Sequence, residues 1–117
     1  MLIPGAVRSS GVISSLLNGK MKNAATTIVY GTYVVLLYNS PDILQAWLQD
    51  VPQDIFYNPK KYLVSVTMRQ TSGTPYNQVD RLTYEIRESA HQFVVNALGS
   101  GFVSGHQLGV SVTISKL

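Results

Sequence analysis

The sequence predicts an α+β fold, in which an antiparallel β-sheet of about five strands is combined with two α-helices. Apolar and polar residues alternate along several segments, as in strands with one buried face. The pair Asn18-Gly19 lies between two apolar runs and is typical of a β-hairpin turn. Two further segments repeat apolar residues every three to four positions, as on one face of a helix. The length of 117 residues indicates a single domain, residues 1–117, with 1–11 as an N-terminal arm.

The clearest strand is predicted over residues 61–70. From Tyr62 onward the sequence is Tyr-Leu-Val-Ser-Val-Thr-Met-Arg-Gln-Thr-Ser, with apolar residues at 62, 64, 66 and 68. Residues 81–87 alternate in the same way. Each of these strands therefore has one apolar face and one face that carries hydroxyl and cationic groups.

The remaining strands are predicted from β-branched and aromatic residues. Residues 21–30 and 32–38 form two strands that Gly31 interrupts, and 110–114 form a last short strand or an extended tail. Residues 12–17 fit either a short strand or a helical turn. Consecutive apolar residues within 32–38 indicate a strand that is buried on both faces or lies in an interface.

Two helices are predicted from caps and apolar spacing. The first begins at Ser40-Pro41-Asp42, where a hydroxyl cap, a proline and an acid favour a helix start. The second begins at Ser89, which stands three residues before Gln92 as in a capping box, and ends at the glycines 99 and 101. The apolar stripe of the first helix is Ile43, Leu44, Trp47 and Leu48, and that of the second is Ala90, Phe93, Val94, Ala97 and Leu98.

The composition favours a protein that associates with copies of itself. Charged residues make up 13% of the chain, about half of the usual share, and a surface so poor in charge is weakly protected against association. A neutral secreted domain would have a similar composition. The net charge of +3 is compatible with a polyanionic partner. No apolar run is long enough to span a membrane, and the N-terminus does not have the pattern of a signal peptide.

The chain offers little for catalysis or cofactor binding. It has no cysteine, which excludes disulfides and thiolate metal sites. The histidines His91 and His106 have no third ligand that would complete a metal site. None of the six acidic residues forms a recognisable pair with a histidine. We therefore predict that the protein is not an enzyme, binds no metal or other cofactor, and has no small-molecule substrate.

A polar and cationic sheet face is the main candidate site. If strands 61–70 and 81–87 share a sheet with their apolar faces together, their other faces form one surface of basic and hydroxyl groups, which bind phosphates, sugars and base edges. Tyr57 and Tyr76, in predicted loops, are candidates for stacking on unpaired bases. The alternative is an ordinary solvated sheet face. The predicted nucleic-acid-binding residues are Lys61, Ser65, Thr67, Arg69, Arg81, Thr83, Glu85 and Arg87.

The segment from Tyr62 to Ser72 resembles the central strand of the coat proteins of single-stranded RNA bacteriophages. Those strands carry an alternating tract that ends in Arg-Gln or Ser-Gln before a small polar turn, as Arg69-Gln70 does here. The upstream Ala46-Trp47-Leu48 is similar to a segment of some members. Residues 81–87 with the helix over 89–98 resemble the last strand and first C-terminal helix, and the Asn18-Gly19 hairpin resembles the N-terminal one.

The resemblance implies a viral coat (capsid) protein of the virion, assembled in the cytoplasm of a host bacterium. Two copies would interlock, with the helices of each covering the sheet of the other. The homodimers would build an icosahedral shell, or virus-like particle, whose inner sheet face binds the viral genomic RNA. The predicted dimer interface on the second helix is Phe93, Val94, Ala97 and Leu98.

Two other functions fit the same sequence. A tail-terminator or connector ring protein of a tailed bacteriophage would also be a small α+β subunit with few charges and a long arm. A small-molecule-binding α+β domain or enzyme would instead be a stable monomer or dimer with a pocket. Closed shells that contain nucleic acid would support the first function, and six- or twelve-fold rings would support the second.

Overall fold

A computed structural model describes residues 26–69 and 76–117 of the chain. In this part the chain forms six antiparallel β-strands in one sheet, which curls into a barrel that is nearly closed. The spatial order is β3-β6-β1-β2-β5-β4, so β3 and β4 are the two edge strands. The strands are β1 (Thr27–Ser40), β2 (Ile43–Leu48), β3 (Tyr62–Arg69), β4 (Val79–Arg87), β5 (Gln92–Gly99) and β6 (Gln107–Lys116).

Tight turns connect the strands that follow one another in both sequence and sheet. Pro41 and Asp42 form the two-residue turn between β1 and β2, where Ser40 pairs with Ile43. Residues 88–91 turn β4 into β5, and His91 has a φ of 50° there. The long β1 pairs with β6 from Thr27–Lys116 to Leu37–Gln107, and this ladder joins the two halves of the barrel.

The core fills the interior of the barrel. Alternate side chains of each strand face the same side of the sheet, and most of the strand residues that point inward are apolar. The connecting loops also contribute buried residues, including Phe56 and Phe102. The fully buried inward residues of the strands are Leu36, Leu44, Phe93, Val95, Ala97, Leu108, Val110, Val112 and Ile114.

The segment between β2 and β3 closes one end of the barrel. It contains two short 3₁₀ turns, Gln53–Phe56 and Pro59–Lys61, and it buries Ile55 and Phe56. Tyrosine hydroxyls at the strand ends hold it in place: Tyr30 donates to Asp50 at 2.8 Å, and Tyr62 donates to Asp54 at 2.8 Å. Burial and the hydrogen bond to Asp50 raise the pKa of Tyr30 to about 12.

The predicted α+β fold is wrong, because the part of the chain that the structure describes is all-β with only 3₁₀ turns of three or four residues. The first predicted helix is strand β2. Its apolar residues fit a strand as well as a helix: Leu44 and Leu48 point inward, while Ile43 and Trp47 point outward. The described segments contain no helix that could cross a lipid bilayer.

The second predicted helix is strand β5, and its misassignment has a clear physical cause. Residues 93–98 are apolar on both faces except for Asn96, so periodicity alone cannot distinguish helix from strand. Ser89, the predicted cap, lies instead in the hairpin turn, where the His91 amide donates to the Glu88 carbonyl at 3.2 Å. The two segments that were predicted to cover the partner's sheet as helices are therefore strands of the barrel.

Most predicted strands are confirmed within the described residues. The strands expected over 61–70 and 81–87 are β3 and β4, and the expected tail strand is the ten-residue β6. Gly31 does not interrupt β1, which runs through it, and 32–38 are not buried on both faces, since Leu37 is 53% exposed. The predicted Asn18-Gly19 hairpin, residues 12–17 and the arm 1–11 lie outside the described residues.

Candidate functional site

The outer face of β3 and β6 carries a surface of small hydroxyl groups. Because Val64 and Val66 of β3 pack on the core, the residues between them point outward. In the ladder Ser65 pairs with Thr113 and Thr67 pairs with Ser111. We call these four residues the hydroxyl surface. Hydroxyl groups donate and accept hydrogen bonds, so this surface can bind phosphate, sugar or base groups.

Arg69 and Tyr33 border the hydroxyl surface. The Arg69 guanidinium carbon lies 5.5 Å from the centre of the Tyr33 ring, and an Arg69 NH group donates to the Ser111 hydroxyl at 3.0 Å. The Tyr33 hydroxyl end lies against Gly109, where a side chain of any other residue would collide with it. Glycine at 109 therefore lets the tyrosine lie across β6 and meet the arginine, an arrangement in which the ring stabilises the cation.

The outer face of β2, β5 and β4 carries a different polar group, which we call the polar ladder. Asn96 of β5, only 4% exposed, stands at its centre and accepts a hydrogen bond from the Gln45 amide at 2.8 Å. Its own amide donates to Glu85 at 3.0 Å and to Thr83 at 3.4 Å. Arg87 completes the ladder through its salt bridge to Glu85 at 3.2 Å.

The polar groups of the ladder have their hydrogen-bond partners within the chain. The hydrogen bond from Asn96, followed by that from Arg87, holds the pKa of Glu85 below its ordinary value, so the carboxylate stays charged at neutral pH. Arg87 also donates to Gln92 at 3.4 Å. Three of the predicted nucleic-acid-binding residues, Thr83, Glu85 and Arg87, therefore contribute to strand pairing, and Glu85 neutralises the arginine beside it.

A cleft of about 290 Å³ separates the two edge strands and is lined by Val64, Val66, Leu82, Thr83 and Tyr84. The structure thus brings the two predicted strands to opposite sides of one seam, with their apolar faces inward as expected. Tyr84 points inward and contacts Phe93, with ring centres 5.6 Å apart, yet it stays 40% exposed because the barrel is open there.

The predicted basic residues do not form one patch. Lys61 stands just before β3 and Arg69 ends it, so eight steps of about 3.3 Å, roughly 25 Å, separate them. Arg81 is exposed at the start of β4, across the seam from β3. Of the predicted set, only Ser65, Thr67 and Arg69 lie together on the hydroxyl surface or at its border.

An apolar patch occupies the outer face of β1 and β2. We define it as Tyr33, Val35, Leu37 and Trp47, of which Leu37 is 53% and Trp47 is 54% exposed. A groove of about 190 Å³ at its end is lined by residues 37–39 and 45–47. Large apolar side chains that share one exposed face are typical of a surface that another protein covers.

The predicted dimer interface is not exposed. Phe93 and Ala97 point into the core, and both are fully buried. Val94 points outward, but it is flanked in register by the larger Trp47 and Glu85 and is also fully buried. Only Leu98, which is half-buried, has surface left. These residues stabilise the barrel itself and cannot form a helical dimer layer.

Sequence reasoning missed the contributions of β1 and β6 to these surfaces. Tyr33, Ser111 and Thr113 were within predicted strands, but nothing in a single sequence shows which strands pair. The alternation of Val110, Val112 and Ile114 with hydroxyl residues was the available signal.

The described residues form two surfaces that can contact other molecules. No group of three or more histidine, aspartate or glutamate side chains in these residues could hold a metal ion. The hydroxyl surface with Arg69 can bind polar, anionic groups, and the apolar patch can bury against another protein. Comparisons of the chain with models of protein families, with curated proteins and with solved structures find no match.

Proposed function

We propose that this chain is a structural subunit of a viral particle. It assembles with copies of itself through the apolar patch and contacts the packaged nucleic acid through the hydroxyl surface and Arg69. The observation that carries the proposal is the exposed apolar patch on a chain with few charges. Assembly proceeds through the outer face of the barrel, since both segments predicted as helices are strands.

The apolar patch favours a second copy of the chain over other partners. It carries no charge that would match a charged partner, and the chain has only 15 charged residues, nine basic and six acidic, with which to keep its copies apart. Trp47 is the largest exposed apolar side chain of the patch, and tryptophan is enriched among residues that dominate binding energy. Burial of the patch removes these side chains from water, which drives association.

The proposed assembly predicts that the purified protein forms closed particles or rings. Sedimentation velocity at micromolar concentration should show species much larger than a dimer, and negative-stain images should show their shape. Closed shells with strong absorbance at 260 nm support a coat protein. Six- or twelve-fold rings without nucleic acid support a tail or connector subunit. A protein that sediments as a monomer at this concentration contradicts both forms of assembly.

The second part of the proposal, contact with nucleic acid, is supported by the chemistry of the hydroxyl surface. Four hydroxyl side chains and a guanidinium border one another on the outer face of the sheet, where Ser65, Thr67 and Arg69 are exposed. Such groups bind phosphates and sugars without regard to sequence, as a packaging surface requires. Each copy adds few contacts, but an assembly presents many copies along one strand, so the total affinity is high.

Charge reversal at Arg69 should reduce the nucleic-acid content of the assembled material. We expect Arg69→Glu to lower the ratio of absorbance at 260 nm to that at 280 nm about two-fold or more, because it replaces a phosphate contact by repulsion in every copy. Arg69 contacts the apolar patch at Tyr33. Assembly should persist, because the two most exposed residues of the patch, Leu37 and Trp47, are unchanged. Arg69→Lys keeps the charge and serves as the matched control. Nucleic-acid content that is the same in the glutamate variant and the wild type would remove Arg69 from the interface.

A further inference from the structure

We propose that the cleft beside Tyr57 binds one nucleotide of a single-stranded nucleic acid, with the base stacked on the Tyr57 ring and the flanking phosphates held by Lys60 and Lys61. This inference rests on the proposed contact with nucleic acid and assigns it a second, separate site. The site lies near the beginning of β3, at the opposite end of that strand from Arg69.

The shape of the cleft fits a planar ring with charged groups beside it. It has a volume of about 320 Å³ and is lined by five consecutive residues, 57–61, which include Pro59 and the two lysines. Tyr57 is 61% exposed, which is unusual for a large aromatic side chain in a loop that packs on the core. Neighbouring Phe56 is fully buried, so the backbone under Tyr57 is anchored while its ring faces solvent.

Tyr57 is held in one orientation. Its hydroxyl lies 2.9 Å from Nε2 of His91, and the two rings meet edge to face with centres 5.5 Å apart. The His91 ring in turn packs on Phe56 at 5.2 Å. The hydrogen bond uses the hydroxyl of Tyr57, and 61% of the side chain stays exposed, so ring surface remains open for stacking. An exposed ring fixed in this way loses little conformational entropy when it binds.

The loop that carries the lysines is also held in place. The Asp54 carboxylate accepts hydrogen bonds from Asn58 and from the Tyr62 hydroxyl, both at 2.8 Å. The Lys61 amide donates to the Asn58 carbonyl at 3.0 Å, and the Lys61 carbonyl accepts from the Leu117 amide at 2.9 Å. The lysine backbone is therefore positioned by both the loop and the C-terminal strand, and the site exists before a ligand arrives.

The charge of the site favours an anion. Lys60 and Lys61 are exposed and take part in no salt bridge among residues 26–69 and 76–117. Lys116 pairs with Tyr62 in the ladder between β3 and β6, next to Lys61, which adds a third basic residue to this end of the strand. The hydrogen bonds from Tyr62 and Asn58, and then the charges of Lys61 and Lys116, lower the pKa of Asp54. Lysine binds phosphate as a point charge, and an open tyrosine ring stacks on any base. A single-stranded polynucleotide supplies both groups at adjacent positions.

Binding of a fluorescein-labelled oligouridylate of twelve nucleotides, followed by fluorescence anisotropy on the assembled protein, tests this site. Tyr57→Ala should weaken binding about ten-fold, the effect of losing one stacked base. Tyr57→Phe should bind nearly as well as the wild type, because it keeps the ring. Tyr84→Ala, which removes another exposed tyrosine outside the apolar patch and the hydroxyl surface, is the matched control and should leave the affinity unchanged.

The lysines are tested through salt dependence. Each phosphate contact to a single strand contributes about 0.7 to the slope of log affinity against log salt, so the double variant Lys60→Gln, Lys61→Gln should have a slope shallower by about 1.4.

Unchanged affinity in Tyr57→Ala, or equally strong competition by polyglutamate, would overturn the site. If Arg69→Glu weakens binding while Tyr57→Ala does not, this site fails and the proposed function stands. If the wild type binds no oligonucleotide, the proposed contact with nucleic acid fails as well.

Discussion

Replacing Val95 by aspartate should unfold the barrel. Val95 is fully buried on the inward side of β5, and the register places Ala46 and Tyr84 beside it. An aspartate there must either bury a charge without a partner or take up a proton, and it also loses the packing of the valine. We expect a loss of more than about 4 kcal/mol in the free energy of unfolding, a large part of the total for a domain of this size. Urea unfolding followed by circular dichroism measures it.

The matched variant Leu98→Asp makes this a test of strand against helix. Leu98 is half-buried on the outer side of β5, so its substitution should cost no more than about 2 kcal/mol. A helix over 89–98 reverses the order of the two effects, because its apolar stripe contains Leu98 and leaves Val95 outside. A folded Val95→Asp protein together with an unfolded Leu98→Asp protein would contradict the all-β barrel.

The strands that could be predicted from the sequence are those with one polar face. In β3, Ser65 and Thr67 alternate with Val64 and Val66, and only a strand places these pairs on opposite faces. The same reasoning locates β4 and the centre of β6. Their inward and outward faces follow directly from the alternation, because the buried apolar residues of the described part of the chain form a core inside the barrel.

The two predicted helices failed for the opposite reason. In β5 the outward Val94 and Leu98 are as apolar as the inward Phe93 and Ala97, so the segment has no polar face that would reveal its period. In such a strand, the side chains of the neighbouring strands shield the residues on both faces of the sheet. Ser89, which was predicted to cap a helix, lies in a hairpin turn, because serine is favoured both at helix caps and in turns. Whether this segment forms a helix or a strand is decided by its pairing with a strand that lies far from it in the sequence, which the local pattern does not show.

The candidate site was predicted in its composition but not in its arrangement. Ser65, Thr67 and Arg69 do share an outer face, as their spacing requires. Tyr33 and Ser111 join Arg69 only because β6 lies between β1 and β3, and a single sequence carries no direct signal of that order. Arg87 is separated from this group because it lies on β4, the other edge strand, where it forms a salt bridge with Glu85.

Charges introduced into the apolar patch should abolish assembly while leaving the barrel folded. We expect Trp47→Glu and Leu37→Glu each to weaken association at least about 30-fold per contact, the effect of losing roughly 2 kcal/mol at a central apolar residue. Because a closed particle multiplies this loss over many contacts, sedimentation velocity should show a shift from large particles to small species. The barrel should remain folded, since both side chains are more than half exposed.

The control for this experiment is Val103→Glu, which introduces the same charge at a residue of matched exposure, 55%, in the loop between β5 and β6. It lowers the net charge of the chain by the same amount, so any general effect of charge on association appears in it too. Assembly should persist in this variant. If all three variants assemble like the wild type, the apolar patch is not the contact between copies. If Val103→Glu alone dissociates the particles, the contact lies at the end of the barrel, where residues 100–106 connect the strands.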